Sequence, residues 1–160
     1  MTAPKIFIFL FFIVSFSACS KKSNIEYLVP EKLAGMDLQR TLDNKEAEQN
    51  VNQLHNKFVS GTENIVAFYE NDDTKCELYI STFPDTLKAL DVFHKMMRGV
   101  RQDTSVFTHF TPRVIGDQGI IMLLGMGRVH YFFTKGKEVY WLQADQGKAE
   151  EAITELVNSE

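Results

Sequence analysis

The sequence predicts an α+β fold, a single antiparallel β-sheet with three packed α-helices. Three observations carry this expectation. Apolar residues recur at helical spacing in three separate segments, 43–58, 84–99 and 147–157. Residues 105–144 hold short apolar stretches separated by the Gly-containing breaks "GDQG", "GMG" and "KGK". Breaks that short join antiparallel neighbours, because parallel strands need a long crossover. A polar "NDDT" at 71–74 separates two further β-like runs, as a hairpin turn would.

Taken in order, Tyr27 to Met36 is an apolar segment broken by Pro30 and Gly35, and reads as a short strand or irregular arm. Asp43 with Glu46 three residues on has the form of a capping box. Ala47, Val51, Leu54 and Phe58 then form one stripe of a first helix, ended by Gly61. Ile65–Glu70 and Cys76–Ser81 read as paired strands. Pro84 and Asp85 open a second helix, whose buried stripe is expected to be Leu87, Leu90, Phe93 and Met97, with Gly99 closing it. Strands follow at Ser105–Thr111, Val114–Ile115, Gly119–Leu124, Arg128–Thr134 and Glu138–Ala144. A third helix runs over Gly147–Val157 with Ala149, Ala152, Ile153 and Leu156 facing inward. The order α-β-β-α-β meander-α resembles the α/β/α sandwich of the PsbP-like and Mog1-like group (PsbP/Mog1-like). No motif accompanies that likeness, so it implies a layout and no activity.

The first nineteen residues have a different character. Lys5 precedes an uncharged apolar run, Ile6–Phe16, and small residues follow, which is the layout of a secretory signal segment. The run is about half the roughly 20 apolar residues that a membrane-spanning helix needs. Phe16-Ser17-Ala18-Cys19 resembles the lipobox of bacterial lipoprotein precursors, with Phe16 where Leu is usual. The resemblance covers residues 1–19. It implies cleavage after residue 18, lipid on Cys19, and a membrane partner reached through that lipid. Ser20 in place of aspartate implies the outer membrane, facing the periplasm, in a cell with two membranes. An ordinary signal peptide with a chance cysteine is the alternative. Two or three acyl chains hold a protein to a bilayer, whereas one holds it only reversibly. Lys21 and Lys22 can add attraction to anionic head groups. Residues 19–26 read as a lipidated tether, with Ser20–Glu26 reaching about 25 Å at full extension, and 27–160 as one globular domain.

Removing residues 1–18 from the 160 leaves 142 and takes Lys5 away, so the formal charge moves from −4 to −5. That length suits one domain with a real core. Mild acidity supplies no basic face for nucleic acid, and no nucleic-acid partner is expected. With Cys19 lipidated, Cys76 has no partner within the chain.

Chemistry-bearing residues are sparse. Cys76 alternates in phase with Leu78 and Ile80, as a core thiol would. His55, His94, His109 and His130 lie at no metal-ligand spacing. His55 and His94 hold edge positions on two helices, and with His130 they are the candidates for a metal site, which would still need supporting partners. Met96, Met97, Met122 and Met126 form no Met-x-Met cluster, which favours core filling. No metal, cofactor or catalytic residue is therefore assigned. The most distinctive stretch is "GMGRVHYFF", Gly125–Phe133. Alternation puts Val129, Tyr131 and Phe133 on one strand face and Arg128, His130 and Phe132 on the other. Pairing with "VYWLQ" brings Tyr131 or Phe133 near Tyr140 or Trp141. An aromatic packing cluster is the plainer reading; a binding face of Arg128, His130, Tyr131 and Trp141 is the sharper one.

The functional expectation is a small membrane-anchored envelope lipoprotein that binds another envelope protein or a small ligand and is not an enzyme. The alternatives are a metal-binding lipoprotein using His and Met side chains, and an enzyme whose site is assembled from distant positions such as His130, Arg128 and an acidic residue.

Overall fold

The computed structural model describes residues 24–55, 60–102 and 104–159. The leader, the lipobox-like stretch with Cys19, and Phe58 lie outside the described residues, as do the side chains of Leu54 and His55. A 3-10 turn at Glu26–Leu28 leads to β1 (Lys32–Leu33) and β2 (Met36–Asp43). Then come α1 (Asn44–His55), β3 (Glu63–Asn71), β4 (Thr74–Thr82) and α2 (Thr86–Val100). The chain continues through β5 (Phe107–Ile115), β6 (Gln118–Gly125), β7 (Arg128–Lys135), β8 (Glu138–Ala144) and α3 (Gln146–Asn158).

The fold is α+β: one open antiparallel sheet of eight strands, ordered β1-β2-β3-β4-β8-β7-β6-β5, with three helices. β1 to β4 pair in sequence, as do β5 to β8, and the two runs meet where β4 pairs β8. α2 carries the chain from central β4 to the far edge at β5. Helices cover both faces. α3 packs Ala149, Ala152, Ile153 and Leu156 against Leu78, Tyr131, Phe133 and Leu142 on one side. Ala47 and Val51 of α1 and Ala89, Val92 and Met96 of α2 pack against Val66, Phe132 and Trp141 on the other.

Two strands precede α1: β1 falls within Tyr27–Met36, the segment expected as a short strand or arm, whereas β2 was not expected. Sequence periodicity failed at β2 for a physical reason. A bulge between Leu38 and Arg40 shifts the register, so Leu38 packs on the α3 face and Leu42 on the other, although both are even-numbered. A one-residue shift exchanges faces. β5 repeats the lesson. A bulge between Thr108 and Thr111, with His109 at φ +55°, puts both Phe107 and Phe110 on the α1/α2 face. The strand that results spans the two pieces expected from sequence. Pro112 is tolerated because β5 is an edge strand.

The helix starts also differ from expectation. Asp43 does not open α1; it ends β2, paired with Ile65. The turn into α1 is made at Asn44, φ +50°, a conformation that Asn tolerates. Gly61 stands two residues before β3, where an added Cβ would collide with the Thr82 carbonyl. Pro84 lies outside α2, and Asp85 is the N-cap, accepting from Lys88 N at 2.8 Å. Gly99 is inside α2, which runs on to Val100.

The expected stripe of α2 is also corrected. Ala89, Val92 and Met96 are buried, Phe93 and Met97 are half-buried beside them, and Leu87 is 79% exposed. The observed face is rotated about a quarter turn from the expected one. Small Ala89 lets the helix approach the sheet closely, which a periodicity weighted toward large residues misses. Among the described residues, no helix is long and apolar enough to cross a membrane.

Candidate functional site

One row of cross-strand partners crosses the α1/α2 face of the sheet: Arg40, Phe68, Glu77, Gln143, His130 and Leu123, on β2, β3, β4, β8, β7 and β6. Four of its six residues, Arg40, Glu77, Gln143 and His130, are polar. The Arg40 guanidinium lies over the Phe68 ring at 4.1 Å, a cation–π contact. The Glu77 carboxylate accepts from Arg128 Nη1 at 2.9 Å, Tyr79 Oη at 2.8 Å and Gln143 Nε2 at 2.7 Å. Arg128 also reaches Asp145 Oδ1 at 3.2 Å. Asp145 Oδ2 in turn accepts from the Lys75 backbone N at 2.8 Å. The network ties β4, β7, β8 and the start of α3 together.

Glu77 and Arg128 are partly buried, with side chains 23% and 20% exposed. Removing Arg128 would leave the Glu77 charge with neutral donors alone, whereas Arg128 without Glu77 would keep Asp145. Burial, and then the Glu77 charge, push the Tyr79 phenol well above its ordinary range. It stays protonated and donates to Glu77.

His130 is fully buried. Its Nε2 lies 2.9 Å from the Gly125 carbonyl. A carbonyl only accepts, so Nε2 carries the hydrogen and Nδ1 is left as a bare acceptor. No partner for Nδ1 is present among the described residues. Burial holds the imidazole below its ordinary pKa, outweighing the raising effect of the Gly125 bond, so it is neutral at pH 7. Rings enclose it: Phe107 at 4.9 Å and Trp141 at 5.7 Å between centroids. Trp141 stacks on Phe132 at 5.3 Å, and Phe132 meets Phe93 of α2 at 5.3 Å. Gly125 makes room for this cluster, because a Cβ there would strike the Phe107 ring at 2.5 Å.

Tyr131 is on the opposite face, packed with the α3 core. Its hydroxyl donates to Glu150 Oε2 at 3.1 Å, and Glu150 takes a bidentate pair from Arg113 at 2.6 Å for each bond. The candidate binding face is therefore divided. Arg128, His130 and Trp141 share one side of the sheet, and Tyr131 the other. The register sets Phe133 opposite Tyr140, stacked at 4.7 Å, and Phe132 opposite Trp141.

Among the described residues the remaining candidates do not gather, and the His55 side chain lies outside them. His94 is exposed on α2 with its ring edge-on to Phe93 at 5.8 Å. His109 sits in the edge bulge, Nδ1 3.0 Å from Thr108 Oγ1. Met96 packs on the α1/α2 face, Met97 beside it and Met122 on the α3 face, while Met126 is 60% exposed. Among the described residues, no group of three His, Cys, Asp or Glu is placed to hold a metal. Cys76 is buried in the α3-face core, and burial pushes its thiol up to about 12, so it is not a nucleophile.

Between α1 and α2, a cleft of about 20 Å³ is lined by Val51, Tyr79, Ser81, Val92, Met96, Val139 and Trp141. That is room for about one water. At the end of the sheet bearing the β6–β7 turn, Val106 and Met126 are 63% and 60% exposed. They flank the Phe107–Gly125 pair. Met126 holds φ +51°, which a bulky side chain disfavours. Compared with known families, curated proteins and solved structures, the chain matches none of them.

Sequence reasoning named Arg128, His130 and Trp141 but missed Glu77, Tyr79, Gln143, Asp145 and Phe107. Alternation alone puts Glu77, Tyr79 and Ser81 on one face. What was missing is that β4 pairs β8, some sixty residues on.

Proposed function

We propose that this chain is a small lipid-anchored cell-envelope module. It is held at the membrane through Cys19 and acts by binding another envelope protein or a small ligand rather than by catalysis. The observation that carries the anchor is Phe16-Ser17-Ala18-Cys19 directly after the apolar run Ile6–Phe16. Ser20 favours the outer membrane, facing the periplasm, in a cell that has one.

Binding is favoured over catalysis by the state of the polar groups. Glu77 is committed to three donors and Arg128 to two carboxylates. His130 is sealed among rings, and the Tyr79 and Tyr131 phenols are driven up. General acid–base work needs a group near its titration point and within reach of substrate. No nucleic-acid partner is proposed. Helices on both sheet faces support the sandwich likeness to the PsbP-like and Mog1-like group, at the level of layering alone.

The test is intact mass spectrometry of the full chain expressed with its leader in a bacterial host. The expected product begins at Cys19 and carries diacylglyceryl and acyl groups. Cys19→Ser should move the protein out of the membrane fraction. An uncleaved chain, or unmodified Cys19 on a membrane-bound protein, would overturn the proposal.

A further inference from the structure

The anchor proposed above has a consequence for which way the domain faces. We propose that the lipidated domain stands with one end of its sheet toward the bilayer. That end carries Glu63, Thr82 and the Gly136–Lys137 turn, with Tyr27 at the head-group layer. The opposite end, with the Asp72–Asp73 and Met126–Gly127 turns, points away. This inference rests on the lipid anchor at Cys19.

The argument is one of reach. The chain is fixed to the folded body immediately after the anchor. Ile25 is 4% exposed in the α3-face core, and Asn24 Nδ2 donates to Glu63 Oε1 at 2.9 Å. Five residue steps join Cys19 to Asn24, a span of at most about 18 Å even fully extended. Glu63 is the first residue of β3, and Asn71, at the far turn, is its last. Eight steps of an antiparallel strand cover about 27 Å. The near end of the sheet is therefore the end closest to Cys19, and the far turns lie beyond the tether's span.

Register collects the near end. Glu63 pairs Thr82, Thr82 pairs Glu138, and Lys135 pairs Glu138 across the Gly136–Lys137 turn. Phe83 N donates to the Lys137 carbonyl at 2.9 Å. Tyr27 lies three residues beyond Asn24, 78% exposed. It is near Tyr140, whose phenol is raised by burial first and then by Glu138 and Tyr27. An exposed tyrosine within a short tether's reach of the lipid suits the interface, where the ring body is apolar and the hydroxyl wet. Charge is not the driving force. Lys135 and Lys137 are offset by Glu26, Glu63, Glu138 and Asp85, so the covalent tether sets the orientation.

The test uses the full lipidated chain in phosphatidylethanolamine–phosphatidylglycerol vesicles with head-group-labelled quencher lipid. A fluorophore is placed on Lys137→Cys in one sample and Asp72→Cys in another; both sites are exposed. Cys76 is buried with its thiol pushed up to about 12, so the introduced cysteine takes the label. The expected result is loss of most emission at 137 and little at 72. Tyr27→Ser should weaken the quenching at 137, and unchanged quenching would overturn the Tyr27 contact. Equal quenching at both sites, or stronger quenching at 72, with lipid on Cys19 confirmed by mass, overturns the orientation alone. Absence of lipid on Cys19 overturns the anchor and the orientation with it.

Discussion

The two faces of the sheet solve the same problem differently. The α3 face is a continuous apolar core, in which Leu33, Leu78, Leu142 and Ile153 are fully buried. Its polar contacts lie at the margins, where Tyr69 donates to the Pro30 carbonyl and Tyr131 to Glu150. The α1/α2 face buries fewer apolar side chains among the described residues, and its centre is aromatic. Trp141 stacks on Phe132, Phe107 and His130 meet it at tilted and edge-on angles, and beside them the Glu77–Arg128 network takes over. One face is held mainly by non-directional burial. The other depends on oriented rings and charge-assisted hydrogen bonds, which tolerate less change.

The sharpest test of this contrast is Trp141→Ala. It removes the ring on which the whole cluster leans and should cost about 3–5 kcal/mol in urea unfolding. A cost near that of an exposed substitution would show that the rings are incidental.

Next is the charge network. Glu77→Ala leaves Arg128, Gln143 and Tyr79 short of an acceptor, at a cost of about 1–3 kcal/mol. On the α3 face, Tyr131→Phe removes one hydrogen bond to a solvent-exposed carboxylate and should cost about 0.5–1.5 kcal/mol. If the second equals or exceeds the first by the same unfolding assay, the contrast between faces breaks.

His130 gives the α1/α2 face a pH signature. Its folded pKa is depressed by burial, so between that value and the ordinary one near 6.5 the unfolded chain binds the extra proton. Its contribution is therefore complete above about pH 6.5 and is lost as pH falls through that window, by at most about 1.4 kcal/mol per pH unit. His130→Phe should flatten the stability profile below pH 6.5, as read by thermal unfolding across a pH series. An unchanged profile would mean that the imidazole is not sealed. The smallest effect belongs to the outward side of α2. Leu87→Ser should shift stability by no more than about 0.5 kcal/mol, and a larger loss would restore the stripe that the sequence suggested.

Legibility followed the same division. The inward residues of α3 were readable in full, because its stripe follows helical period and the helix packs on a regular part of the sheet. The last three strands were readable because two-residue turns bound each of them. β2 was not, since its bulge moves Leu38 and Leu42 to opposite faces. α2 was misread in phase, since Ala89 rather than Leu87 meets the sheet. The candidate site was half visible. Arg128, His130 and Trp141 stood out by type, whereas Glu77 looked like an ordinary polar residue on a strand.

The sequence by itself determined the fold class, the β3–β4 hairpin and the strands β6, β7 and β8, and the burial of Cys76, Ala149, Ala152, Ile153 and Leu156. These depend on local period and turn chemistry, which neighbouring residues carry. Only the tertiary structure decided that β4 meets β8, that His130 is closed in by Phe107 and Trp141, and that Glu77 becomes the acceptor for three side chains. Those contacts join residues far apart along the chain. They arise when the two meanders meet at the centre of the sheet, and no local pattern encodes that meeting.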